Sequence, residues 1–223
     1  MKRIFDLINK NLNNSLLTGL RKRGGDVTPI IVISREKGSG GRPIAYLVTK
    51  LLGAPWKIYH KDIIDEMAEE TTLEKEAVED VDEAKTPIMT QLLNNIFGKK
   101  YLTLNEYYKH LLRILAAIGN RGYAVIVGRG ANFLFPHALK VRIVSTMKTR
   151  IDWVMKYEKV SYKEAVKRIE ESDKKRIEFT KALFQHDQQK AHHYDLVIRT
   201  GNEMSVEDAA DLIVYLAKKK FKL

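Results

Sequence analysis

With 223 residues, 44% of them hydrophobic, the chain has the material for one well-buried α/β domain with excursions. It contains no cysteine, which excludes a disulfide framework, a thiolate metal site and a cysteine nucleophile. Its 39 lysines and arginines outnumber 28 acids, and the resulting net charge of +11 draws anions of some kind, whether small phosphates, nucleic acid or membrane headgroups.

From the start, Ile4, Phe5, Leu7, Ile8, Leu12, Leu16, Leu17 and Leu20 recur at helical spacing before Gly24-Gly25, which predicts an amphipathic helix over residues 1–26 that packs on the domain or on a partner subunit. Charges lie among its leucines, and no continuous apolar stretch or small-residue cleavage site follows, so a cytoplasmic protein is expected. Nowhere does the chain offer the long uncharged run of a membrane helix. Pro29-Ile-Ile-Val-Ile-Ser34 is a run of β-branched residues and reads as a fully buried strand. Gly38 to Gly41 break it. Pro43 then suits a first helical turn, Ile44, Ala45, Leu47, Val48, Leu51 and Leu52 form the buried face, and Gly53 ends the helix. Lys57-Ile-Tyr59 is a second strand, followed by a helix from about His60 and another opened by Thr71-x-x-Glu74. Residues 83–120 are helical and mixed in polarity, as an inserted cap would be.

Three more apolar runs, Tyr123 to Val127, Val141 to Ser145 and Leu196 to Ile198, are separated by helical or polar segments. Ser161-x-x-Glu164 and Ser205-x-x-Asp208 mark the last two helix starts. Strand and helix in alternation predict an α/β fold of three layers, with a parallel sheet of about five strands flanked by helices, because a parallel crossover consumes a helix's length of chain. Residues 27–223 are expected to form one domain, with the insertion at 83–120 and a lid at about 173–193.

The segment Arg35-Glu-Lys-Gly-Ser-Gly-Gly-Arg42 joins a buried strand to a helix, the setting in which glycines let successive backbone amides converge on phosphate at a helix's positive end. Set against the Walker A pattern G-x-x-x-x-G-K-S/T, Arg35 stands at the first glycine, Gly41 at the lysine, and Arg42 and Pro43 where a hydroxyl would bind magnesium. Lys37, Gly38, Ser39, Gly40, Gly41 and Arg42 are therefore the candidate phosphate ligands, with the Arg42 guanidinium supplying the missing charge and Lys37 able to point inward. An ordinary strand-to-helix turn with exposed basic residues would look much the same.

After the third strand come Gly128-Arg129-Gly130 and then Phe135-Pro136-His137-Ala138. Here the chain resembles cytidylate kinase, whose third strand ends in Gly-Arg-Asp followed by a Phe-Pro-Asp-Ala element. The altered loop together with Val-Gly-Arg-Gly-Ala-Asn132 is similar to the separate cytidylate kinase-like group, from Val27 to the end. That resemblance implies a P-loop nucleoside-monophosphate-kinase fold, an acceptor nucleotide contacted by Arg129, and a lid carrying Asp173-x-x-Arg176. Gly130 stands where the family has aspartate, which removes a carboxylate acceptor from the substrate site. Asp62, beside His60 and Lys61, is a weaker candidate for an acid found after strand two in the group.

Phosphoryl transfer needs positioning and cationic stabilisation, so an arginine-bearing helix near the loop has a use that is independent of any family name. Arg42, Arg129 and Arg176 are the catalytic candidates, with Arg129, Asp173 and Arg176 holding the acceptor and the transferring group. Arg168, Lys174 and Lys175 read as charge background, and the clusters Arg21-Lys22-Arg23 and Lys218-Lys219-Lys220 as solvated helix ends. His186, His192 and His193 lack the H-x-x-x-H spacing of a metal site, and Trp56 and Trp153 read as core or interface residues. The expected activity is transfer of the ATP γ-phosphoryl, with Mg2+, to a nucleotide-like acceptor between cap and lid. A nucleotide-binding sensor that has lost transfer is the alternative. A homo-oligomer is compatible with the chain, a membrane partner is not expected, and nucleic acid ranks last because aromatics are not interleaved with the charges.

Overall fold

The computed structural model describes residues 28–61 and 104–223. The expected N-terminal helix over 1–26, the Thr71-x-x-Glu74 cap, Asp62 and the first part of the insertion lie outside the described residues. The chain divides into two compact units, residues 1–28 with 62–122, and residues 29–61 with 123–223. In the first, helix α2 (Leu104–Arg121) ends at Gly122, whose amide donates to the Ile118 carbonyl, while the Thr28 hydroxyl donates to the Gly119 carbonyl.

The second unit is built on five parallel strands, β1 (Ile30–Arg35), β2 (Lys57–Tyr59), β3 (Ala124–Val127), β4 (Leu139–Ser145) and β5 (Leu196–Thr200), in the order β2-β3-β1-β4-β5. All five begin within two residues of the sequence-based expectation, and the central ones are continuous apolar runs buried on both faces. Ile31, Val32 and Ile33 of the central strand have no accessible surface. Helix α1 (Gly41–Leu52) and helix α6 (Val206–Phe221) cover one face, where Ile31, Ile33, Val141 and Ile143 meet Ile44, Val48 and Ile213. By strand alternation Ser34 and Arg142 lie on the other face. Between the strands run α3 (Ala131–Leu134), α4 (Met147–Glu158), α5 (Tyr162–Phe184) and a 3₁₀ turn (Ala191–His193). A small apolar cluster of Ile151, Val154, Ala165 and Ile169 locks α4 to α5. No helix among the described residues is long and apolar enough to cross a membrane.

Local chemistry explains the ends. Gly53 closes α1 at φ 70°, as its sequence position suggested. Ser161 caps α5, and Ser205 with Asp208 forms a reciprocal capping box on α6. Asp195, just before β5, accepts from the Lys140 amide at 2.9 Å and from the Lys220 ammonium at 3.0 Å, and Lys220 also donates to the Ala138 carbonyl at 3.0 Å. This clamp ties the last turn of α6 to the strands it covers. Burial alone would raise the Asp195 carboxyl, but the Lys140 amide and Lys220 ammonium outweigh it and hold it below its ordinary 3.8.

Two stability measurements follow from these contacts. Ser205→Ala should lower the unfolding free energy by about 1 kcal/mol, read as a shift of the urea midpoint at constant slope. The Asp195 contribution is complete above the unfolded pKa and is lost as pH falls through the depressed folded value. The gap in melting temperature between wild type and Asp195→Asn should therefore shrink from about pH 5 toward about pH 2.

Candidate functional site

At the carboxyl end of β1 the chain is pinned from beneath. The Glu36 amide donates to the Ile143 carbonyl at 3.1 Å, and the Ser39 hydroxyl, fully buried, lies 3.0 Å from the Glu36 carbonyl and 3.2 Å from that of Ile143. Thr200 of β5 donates its hydroxyl to the Ser39 carbonyl at 2.9 Å. The Ser39 side chain is thus turned into the fold and serves the loop's shape. Gly38 and Gly40 both have φ 78°, and a Cβ on Gly38 would stand 2.7 Å from the Arg150 carbonyl, one on Gly40 2.5 Å from the Trp153 ring. Only glycine lets the loop lie this close to α4. Gly40 caps α1 without a side-chain hydrogen bond, so the positive end of a 12-residue helix is left facing outward from the loop.

Lys37 is held at three points. Its amide donates to Asp173 at 2.9 Å, its carbonyl accepts from Arg150 Nε at 2.7 Å, and its ammonium forms an ion pair with Glu158 at the end of α4. The expectation that Lys37 points into the loop is therefore not what the structure shows: Glu158 draws the ammonium to α4, and the Lys37 backbone is what takes part in the loop.

Arginines supply the charge instead. The Arg35 side chain runs back across Gly41, where a Cβ would sit 2.5 Å from Arg35 Cβ, and reaches Gly128, where a Cβ would sit 2.0 Å from its guanidinium. Burial first, then Arg176, Arg129 and Arg42, pull the Arg35 guanidinium down to about 9, against a smaller opposing effect from Asp173. Arg42, at the exposed start of α1, places a guanidinium nitrogen 3.2 Å from both ring nitrogens of His60. Arg129 sits in a left-handed turn, with φ 80°, 58° and 67° at Gly128, Arg129 and Gly130, and its guanidinium lies 5.6 Å from the Phe179 ring centroid. On α5, Arg176 pairs with Asp173 at 2.9 Å; burial lowers its pKa most, Asp173 opposes this, and Arg150 and Arg142 add to the lowering. Arg142 and Arg150 each approach the Glu36 carboxylate at 3.6 Å, and the Ser145 amide donates to it at 3.2 Å.

Arg42, Arg129 and Arg176 thus all lie within electrostatic reach of Arg35. Sequence reasoning set Arg35 aside as a misplaced glycine and did not select Arg142 or Arg150. A usable signal was present for two of them. Arg35 extends the alternation of Ile31 and Ile33 toward α1, and Arg142 interrupts an otherwise apolar strand. By contrast Arg168 pairs with Glu158 and Glu164 on the surface, as background charge does.

Residues 30–202 match the sequence profile of the cytidylate kinase-like family. The chain belongs to the cytidylate kinase-like family. Its five-stranded parallel sheet flanked by helices is the P-loop kinase fold. Among solved structures, an uncharacterised protein from Eubacterium ventriosum ATCC 27560 is similar, at 22% identity and a TM-score of 0.63, over 85% of this chain and 98% of that one. A shikimate kinase from Acinetobacter baumannii (14% identity, TM-score 0.46, 86% and 94% covered) and a dephospho-CoA kinase from Campylobacter jejuni (17%, 0.43, 87% and 99%) are more distant. No curated protein matches the chain.

The family setting sharpens one local observation. Gly130, where the resembled motif has aspartate, has φ 67°, and a Cβ there would stand 1.9 Å from the Phe184 ring. Phe184 occupies the room that a side chain at 130 would need. Magnesium can be tested in the same way. Glu36 and Asp173, the carboxylates at the loop, are each held by two arginines and an amide, and no group of three histidine or acidic residues able to hold a metal ion occurs among the described residues. Both carboxylates are thus already engaged by donors of the protein itself, and guanidinium groups are the cations that surround them. Away from the loop, a cavity of about 250 Å³ lined by Asn132, Lys140, His193 and Tyr194 contains no arginine. Tyr194 links it to the loop side, its hydroxyl lying 3.2 Å from Ser34, which accepts from Arg142 at 3.4 Å.

Restoring the aspartate should fail. Gly130→Asp is expected to cost about 2 kcal/mol or more in urea unfolding through overpacking and positive φ, and pairing it with Phe184→Ala should recover part of that loss.

Proposed function

We propose that the protein is a nucleotide kinase that passes the terminal phosphoryl of ATP to a nucleoside-monophosphate-like acceptor. The observation that carries this reading is the placement of Arg35 among Arg42, Arg129 and Arg176 beside the uncapped start of α1. Guanidiniums gathered at one end of a sheet raise the local positive potential, and a polyphosphate is the ligand that such a potential attracts. Since a guanidinium keeps its proton at neutral pH, the cost of burying Arg35 is relieved by an anion.

The residues divide the work by position. Backbone amides of Gly40, Gly41 and Arg42 at the start of α1, with the Arg42 guanidinium, receive the phosphates of the donor. Arg129, on its left-handed turn, and Arg176, on α5, receive the acceptor phosphate and the group in flight. Arg35 lies between them. An acceptor phosphate oxygen forms the new bond to the γ-phosphorus as the bond to the β–γ bridging oxygen breaks, and that electron pair leaves with the diphosphate. The acceptor is already an anion, so no general base is needed, and catalysis reduces to alignment and charge stabilisation.

A second reading, a nucleotide-binding sensor without transfer, is favoured by the Lys37–Glu158 pair, which keeps the loop's lysine from the phosphates. Incubation with ATP, Mg2+ and a panel of nucleoside monophosphates separates the two. Diphosphate products support the kinase, whereas thermal stabilisation by ATP with no product supports the sensor. Under either reading Arg35→Met should weaken ATP binding about tenfold to a hundredfold in calorimetric titration, and Arg42→Ala should weaken it less because that side chain is exposed. Unchanged affinity in Arg35→Met would remove the basis of both.

A further inference from the structure

The Asp173 carboxylate has an unusual set of partners. One oxygen accepts from the Lys37 amide at 2.9 Å and from Arg176 at 2.9 Å, and the other pairs with Arg150, whose side chain is 8% exposed. Arg150 is itself fixed by its bond to the Lys37 carbonyl and its approach to Glu36. A loop amide and two guanidiniums converging on one oxyanion are the donors that a phosphate group takes in a glycine-rich loop. Here the oxyanion comes from the protein, delivered across the sequence by α5.

We infer that the Lys37 amide, Arg150 and Arg176 form an oxyanion subsite for a phosphate group, and that Asp173 fills it as a built-in surrogate that an incoming phosphate must displace. The inference rests on the kinase reading only for the identity of the competing phosphate, which would belong to a nucleotide. Its physical basis is charge. With the carboxylate in place, the charge of Arg150 and Arg176 is partly offset and α5 is tied to the loop. Once a phosphate replaces it, the same donors are satisfied and α5 is held to the loop through Arg176 instead of Asp173. Asp173 therefore sets how much anion the loop demands before it yields, and does not bind the acceptor directly.

Chemical rescue tests this in the absence of any nucleotide. Asp173→Ala removes the carboxylate, leaves room for an anion and suits the middle of a helix, whereas Asp173→Asn removes the charge but still fills the space. In chloride buffer both variants should melt on the order of 5 °C below wild type. Added inorganic phosphate should restore most of the loss in Asp173→Ala, with little effect on wild type and on Asp173→Asn. Pyrophosphate should also bind Asp173→Ala at least tenfold more tightly than wild type. Equal stabilisation of all three proteins, or no recovery in the alanine variant, overturns the subsite, as does weaker pyrophosphate binding in that variant. If Asp173→Ala does not fold in chloride, recovery of soluble protein on refolding into phosphate is the supporting result and its failure the overturning one. A wild-type protein indifferent to ATP whose alanine variant is rescued by phosphate defeats the kinase reading alone. Binding of ATP without rescue defeats the subsite alone.

Discussion

The organisation of this end of the molecule depends on mutual repulsion among arginines and on carboxylates that offset it, Glu36 and Asp173 among the described residues. Arg35, Arg42, Arg129, Arg142, Arg150 and Arg176 gather where β1, β3 and β4 leave the sheet, and Glu36 and Asp173 are the acids set among them. Each acid is placed with economy. Glu36 joins Arg142 on β4 to Arg150 on α4, and Asp173 joins Arg150 to Arg176 on α5. Arg150 is shared by both, and its bond to the Lys37 carbonyl makes it the post on which the loop turns. The loop at the centre of this cluster is fixed from below, by buried hydroxyls at Ser39 and Thr200 and by the glycines against α4.

Positive charge at this loop is spread over arginines rather than carried by the ammonium of Lys37, which pairs with Glu158. A lysine delivers one mobile charge on a flexible stem, whereas guanidiniums on β1, α1, α5 and the turn after β3 deliver several from fixed directions. The cluster stands at the carboxyl end of the central strand, beside the start of the helix that follows it. Gly130 fits the same picture, since the room that an acid would take is given to Phe184, whose ring packs 5.6 Å from Phe133 and 6.4 Å from Phe179. The side of the site that could have carried negative charge is aromatic instead, and Arg129 lies over Phe179 within it.

Much of the fold was legible in the residues. Runs such as Ile-Ile-Val-Ile and Ala-Val-Ile-Val are strands because nothing else buries β-branched residues on two faces, and Gly53, Ser161 and Ser205 mark helix ends by chemistry that acts within a few residues. The site was legible in part. Arg42, Arg129 and Arg176 were chosen on motif, and all three act electrostatically on Arg35, which was not. What no local pattern could show is direction. Lys37 sits in the loop yet sends its ammonium to Glu158, 121 residues away, and Ser39 sends its hydroxyl to a carbonyl 104 residues away. Arg150 was not selected, because its importance comes from three partners on two distant segments, Glu36 and Lys37 in the loop and Asp173 on α5. Side-chain direction at such positions is set by tertiary partners, and periodicity carries no information about those.

The absent Cβ at Gly40 has an optical consequence. The indole of Trp153 fills that gap, while Trp56, the second of the two tryptophans in the chain, is 7% exposed in the core beside Tyr123 and Phe221. One fluorophore therefore rests against the glycine that starts α1, and the other is shielded elsewhere. Any event that reshapes this loop alters the surroundings of a single emitter, so the chain carries its own spectroscopic indicator without a label.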